Sequence, residues 1–223
     1  MTTDVLAPQQ QRSRDTLARL LKATLETLDA HGLDGATIPR IAEVAGVAPA
    51  NVYRRFRDRD ALFRAALLDG LEASVEATAK SLRLESFKDK TLPGVVARLV
   101  ALQVQQYRAR PGLLRALTRF IEQDTDATFR TKALALAKQN LDRVVEVLLE
   151  FRDEIRHRDP RRAITFAILT MATVVEVRAL ESVSLWHEAL PLSDAALQAE
   201  LGRTILAYLR SAGEDKPRKR SRN

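Results

Sequence analysis

Residues 37–62 read Thr37-Ile-Pro-Arg-Ile-Ala-Glu-Val-Ala-Gly-Val-Ala-Pro-Ala-Asn-Val-Tyr-Arg-Arg-Phe-Arg-Asp-Arg-Asp-Ala-Leu62. This pattern predicts two short helices joined by a tight turn, then the start of a third. Thr37 stands where a cap belongs, since a hydroxyl there reaches the free N–H groups that open a helix. Pro39 falls in the first turn, where a missing N–H costs nothing. Ile41, Ala42 and Ala45 share one apolar face. Gly46 suits the left-handed conformation that ends a helix, and Val47 plugs the corner. A second helix starts near Pro49 and turns Val52 and Phe56 inward at i and i+4. Asn51, Tyr53, Arg54 and Arg55 are left outside. The result is a helix-turn-helix whose exposed side carries the hydrogen-bonding and cationic groups that suit a major groove.

Each exposed group has a stated chemistry. Asn51 can give a bidentate amide to adenine, and Arg54 or Arg55 can pair with guanine or a phosphate. Pro49 and Ala50 can touch thymine methyls, and the Tyr53 hydroxyl can donate to a phosphate. Thr37 and Arg40 open the first motif helix and are candidate phosphate clamps. The plainer alternative is a solvated helix face with some charge. Charge distribution favours the first reading. The chain carries a net +7, and between residues 40 and 59 five arginines face only Glu43 and Asp58. A second basic cluster, Lys216-Pro-Arg-Lys-Arg-Ser-Arg222, follows Gly213 without an apolar residue and predicts a disordered tail over 213–223.

Composition bounds the rest. The 223 residues are 46% hydrophobic and 29% charged, which describes a globular chain with ample core. There is no cysteine, so disulfides and thiolate chemistry are excluded. The first residues lack the pattern of a signal peptide. The most apolar run, 164–177, is shorter than the roughly 20 residues of a membrane span, so a cytoplasmic protein without a membrane partner is expected. Residues 1–12 read as a loose arm. Leu17, Leu20, Leu21, Leu25 and Leu28 then mark an amphipathic helix ending at Gly32. Further helices are predicted from Leu62 toward Leu84, from Pro93-Gly94 to Tyr107, and from Leu113 to Glu122. Three more are predicted over 126–156, from Asp159-Pro160 to about Leu185, and after Ser193-Asp194. No segment alternates with strand period, so the expected fold class is all-α.

At these residues the chain resembles the tetracycline-repressor (TetR) family of bacterial regulators. The carriers are Thr37, Ile41-Ala42, Ala45-Gly46-Val47, Tyr53, Phe56, Arg59 and Leu62, preceded by a helix ending His31-Gly32-Leu33-Asp34-Gly35. The likeness covers roughly residues 14–70. Ala48 stands where Ser or Thr is usual, Arg55 replaces a usual His, and Arg59 a usual Lys. Arg59 keeps the charge with a forked donor geometry. The resemblance implies about nine helices, with a three-helix DNA-binding domain at 1–60. An effector-binding and dimerisation domain would follow at 61–212. It also implies backbone contacts by Tyr53 and Arg59, a homodimer on palindromic double-stranded DNA, and release by a small apolar effector. Candidate pocket residues are Arg98, Tyr107, Phe120, Asn140, Met171 and Glu176. For each, ordinary internal hydrogen bonds or subunit contacts are the alternative.

Other chemistry finds little support. Glu154-Ile-Arg-His157 has the Glu-x-x-His spacing of di-iron bundles, but His31 and His187 lack a Glu three residues earlier, so a solvated helix end is the expectation. No nucleophile–base pair, glycine-rich phosphate loop or carboxylate dyad stands out, so neither an enzyme nor a cofactor is expected. The reading is a ligand-responsive, sequence-specific repressor. Two alternatives stay open: a helical lipid or small-molecule binder, or an enzyme, with an incidental motif, and a regulator without an inducer.

Overall fold

A computed structural model describes residues 8–211, except 84, 86 and 182 and the side chains of 8 and 9. The basic cluster 216–222 and the first seven residues lie outside the described residues. Ten α-helices follow one another, with no strand among the described residues. They are α1 (Pro8–Gly35), α2 (Ile38–Ala45), α3 (Pro49–Tyr53), α4 (Arg59–Ser81), α5 (Leu92–Ala109), α6 (Pro111–Gln123), α7 (Ala127–Leu149), α8 (Pro160–Leu180), α9 (Leu185–Ala189) and α10 (Asp194–Arg210).

The all-α expectation holds, and four details differ from it, one being that α8 ends at Leu180 and not near Leu185. Helix α1 starts at Pro8, inside the stretch expected to be a loose arm. Helix α7 ends at Leu149, and a 3-10 turn at Arg152–Glu154 precedes the buried Ile155, where one continuous helix was expected. The tenth helix, α9, is five residues within the stretch between Leu180 and Ser193. Its shortness explains why apolar periodicity did not reveal it. Two helix starts carry side-chain caps. Asp159 accepts from the Arg162 N–H and Ser193 from the Ala196 N–H.

The chain divides into two compact units. The first comprises residues up to 78 together with 107–140. One apolar cluster fills it: Leu20 and Leu28 of α1, Ile41 of α2, Val52 of α3, Leu62 and Phe63 of α4, Phe120 of α6 and Phe129 of α7. Phe63, Phe120 and Phe129 meet edge to face at 5.7 and 5.4 Å between centroids, the geometry that aromatic quadrupoles favour. The compact unit holding the helix-turn-helix therefore extends beyond the first four helices.

The second unit comprises 79–106 and residues from 141 on. Leu92, Val95, Val96 and Val100 of α5, Leu148 of α7, Ile164 and Met171 of α8, and Leu209 of α10 are buried. Helix α8 is 21 residues, its most apolar 18-residue window has a mean hydropathy of 1.7, and it is long and apolar enough to cross a membrane by length and composition. Only 39% of its most apolar window is buried. Phe166 and Leu169 lie on the uncovered side, 59% and 51% exposed.

Candidate nucleic-acid interface

The helix-turn-helix is built as its sequence demands. Gly46 takes φ 66° and ψ 41°, and its N–H reaches the Ala42 and Glu43 carbonyls, closing α2. Only glycine adopts this conformation without steric cost. The Val47 N–H bonds the Ala42 carbonyl at 2.9 Å. Helix α3 then starts on Pro49 with Ala48 before it, which offers no side-chain cap. Val52 is fully buried and Phe56 packs against the same cluster. These two anchors fix the roll of α3. Pro49 and Ala50 are exposed, Asn51 is half-buried, and Tyr53, Arg54 and Arg55 project outward, Tyr53 with 60% of its surface free.

The flanking arginines divide into held and unheld ones. Arg55 donates to the Ser13 hydroxyl at 3.1 Å, so α1 supports the end of the recognition helix. Arg57 pairs with Asp58 at 2.8 Å, and Asp58 accepts the Ala61 N–H at 2.7 Å to cap α4. That backbone bond, then the Arg57 bond, holds the Asp58 carboxyl below its usual range. Arg59 lies over the Phe63 ring at 5.2 Å and 3.6 Å from Asp60. Arg40 donates to the Gly35 carbonyl at 2.6 Å, bracing the α1–α2 corner.

Thr37 departs from the expected cap. Its backbone is extended as a cap requires, at φ −86° and ψ 153°, yet its side chain makes no capping bond. The physical reason is Pro39. A capping hydroxyl accepts from the second or third helical N–H, and proline at the second position removes one of the two donors. The exposed Thr37 hydroxyl therefore faces outward for another partner.

Two long-range latches hold this motif in the first unit, and no local spacing signals either. Asp29 of α1 accepts the Leu113 N–H of α6 at 2.8 Å, and Arg110 lies 3.3 Å from its other oxygen. Gly112 makes this possible, since a Cβ there would lie 1.9 Å from the Asp29 carbonyl oxygen. At the far end of α6, Arg64 of α4 donates to both oxygens of Asp124, at 2.6 and 2.7 Å. The Asp124 side chain is 3% exposed. The guanidinium bond holds the Asp124 carboxyl below its ordinary value, and the same bond raises Arg64. Helix α6 is thus tied to α1 at its start and to α4 at its end.

The six candidate pocket residues fall three to each unit. Tyr107, Phe120 and Asn140 lie in the first, Arg98, Met171 and Glu176 in the second. Phe120 is occupied in the aromatic core, Met171 is buried in α8, Tyr107 and Glu176 are half-buried, and Arg98 is exposed. Asn140 places its amide nitrogen 3.5 Å from the Ser74 hydroxyl and keeps its buried carbonyl oxygen unpartnered. An open cleft of about 650 Å³ lies in the first unit between α1 and the start of α6, lined by Lys22, Glu26, Asp29 and Arg110 among others. None of the six lines it. The Glu154-x-x-His157 pair is occupied structurally: Glu154 with Arg210 at 2.9 Å, and His157 with the Tyr208 carbonyl at 2.7 Å. No group of three metal-ligating side chains occurs among the described residues.

Residues 20–66 match the family model described as bacterial regulatory proteins, tetR family. Over those residues the chain is similar to the TetR family. The HTH-type transcriptional regulator BetI of Paraburkholderia phytofirmans is 36% identical over 66 residues, which are 30% of this chain and 34% of that protein. The chain thus matches about a third of that relative's length. Solved structures resemble it over most of its length. FadR from Bacillus subtilis, in complex with stearoyl-CoA, superposes with a TM-score of 0.61 at 18% identity, covering 87% of this chain and 97% of that one. A TetR family transcription regulator from Marinobacter aquaeolei gives 0.58 at 17% identity, covering 90% and 98%. At such identities the likeness shows the fold alone.

Proposed function

We propose that this protein is a sequence-specific transcriptional repressor that binds a palindromic operator as a homodimer and leaves it when a small apolar molecule binds. The observation that carries this is the outward surface of α3. Tyr53, Arg54 and Arg55 are exposed, while Val52 and the Gly46 turn fix their direction. Residues 1–60 take the DNA-binding role, and residues 61–212 the effector and dimer roles. Helix α4 carries the chain from one to the other.

The homodimer has its own physical support. A five-residue recognition helix makes few base contacts, whereas two copies about 34–36 Å apart read successive turns of one groove. The uncovered apolar side of α8, with Phe166 and Leu169, supplies a surface for the second copy, and accounts for its hydropathy without a membrane. A cytoplasmic location follows from this role. The fold likeness to a regulator bound to stearoyl-CoA supports an acyl chain as the first effector class to test.

The test is a titration of duplex DNA from upstream of the protein's own coding sequence. Submicromolar binding that strengthens as salt falls, exceeds that of a scrambled duplex, and weakens on adding stearoyl-CoA supports the whole reading. Equal weak binding to both duplexes removes the sequence-specific repressor. Specific binding that no acyl thioester or fatty acid alters removes the acyl effector and leaves the repressor.

A further inference from the structure

We infer that α1 is a second DNA-contacting element, in which Arg12 and Arg19 grip backbone phosphates beside the helix-turn-helix. The inference rests on the DNA-binding reading above and adds a surface outside residues 37–62. Two contacts place α1 at that surface. Ser13 receives the Arg55 guanidinium at 3.1 Å, next to the recognition helix. The Arg19 guanidinium lies beside the α2–α3 turn, 3.9 Å from where a Cβ on Gly46 would stand.

Helical geometry joins the two arginines. Leu20, Ala23, Thr24, Leu28 and Thr27 face the core, so the exposed flanks of α1 lie on either side of that stripe. Arg12 and Arg19 are seven residues apart, so they share one flank, about 10 Å apart along the axis. Both are exposed, and neither guanidinium is paired with a carboxylate among the described residues. Arg14 lies roughly 140–160° round the helix from them, on the other flank. Duplex DNA presents one charge per about 1.7 Å of axis, so a cationic flank continuous with the recognition surface meets phosphate along its length. Arg55 is then oriented by Ser13 from below, and the recognition helix and α1 act as one contact surface. Guanidinium–phosphate contacts of this kind add affinity and register without reading bases.

The test compares the full chain with R12Q/R19Q and with R14Q, on the upstream duplex and on its scrambled counterpart, from 50 to 200 mM salt. Thermal melts check that all three proteins are folded. The slope of log affinity against log salt falls by about 0.9 for each phosphate that a subunit no longer neutralises, so R12Q/R19Q flattens it by about 1.8 per subunit. That flattening appears on both duplexes, while R14Q leaves the slope of the wild type. A double variant that binds with the wild-type slope overturns the inference and leaves the DNA-binding reading intact. Equal flattening by R14Q also overturns it, since net charge alone then explains the effect. Wild-type protein that binds neither duplex overturns both readings.

Discussion

The two units differ in what they place on their surfaces. The first gathers most of its apolar residues in one cluster, with Val44 and Leu134 left exposed, and turns charge outward around α3: Arg54 and Arg55 stand on the surface above a fully buried Val52. The second leaves large apolar side chains exposed, with Phe166 and Leu169 on α8, and Val183 and Leu185 beyond it at 92% and 78%. An exposed apolar face of this kind marks a surface that another molecule covers. The first unit presents cations around α3, the second large apolar side chains on and beyond α8.

The largest expected effect comes from charging that apolar face. Phe166→Glu with Leu169→Glu places two charges on the uncovered face of α8. Sedimentation is expected to show a monomer, and operator affinity to fall by at least about 100-fold, roughly 2.7 kcal/mol. A double variant that stays dimeric would show that α8 does not form the contact.

Glycines sharpen the comparison further. Gly112 of the first unit sits against the α1 backbone, so Gly112→Ala forces α6 away from Asp29. The expected cost is about 2–3 kcal/mol, read as a Tm lower by roughly 5–10 °C. Gly202 of the second unit has open space around an added Cβ. Gly202→Ala gains helix propensity, about 0.5–1 kcal/mol, and a higher Tm. A decrease instead would mean that a partner covers that position.

The latch at the other end of α6 predicts acid sensitivity. Asp124→Asn removes the charge that pairs with Arg64 and costs about 2 kcal/mol near neutral pH, by chemical denaturation. The folded state holds Asp124 below its ordinary value of 3.8, so the native pair resists protonation. Its contribution is complete above that ordinary value and disappears as pH falls through the lowered one. The gap between wild type and D124N therefore closes only in strong acid. A gap that closed near pH 6 would assign the effect to another group. The smallest effect belongs to Thr37. Because its hydroxyl caps nothing, Thr37→Ala is expected to change stability by less than about 0.5 kcal/mol, while weakening DNA binding several-fold on any sequence. A stability loss near 1 kcal/mol would restore the capping role.

Much of this was legible without coordinates. The turn at Gly46, the inward Val52 and the outward Tyr53 follow from residue type and helical spacing. So do the caps at Asp159 and Ser193, because each depends on neighbours within four positions. Helix α9 was not, being too short to show a period, and neither was the end of α7 at Leu149. The idle hydroxyl of Thr37 was hidden by a competing rule, the proline two residues on.

By itself the sequence determined the all-α class, the helix-turn-helix and the direction of its polar face, since these are local consequences of backbone sterics and amphipathic period. Only the tertiary structure decided that α6 joins the helix-turn-helix unit through Asp29–Leu113 and Arg64–Asp124, that Arg55 leans on Ser13, and that α8 keeps an exposed apolar side. Those pairs lie 42 to 84 residues apart in the chain. Their meeting depends on how helices pack, and no spacing in one sequence encodes it.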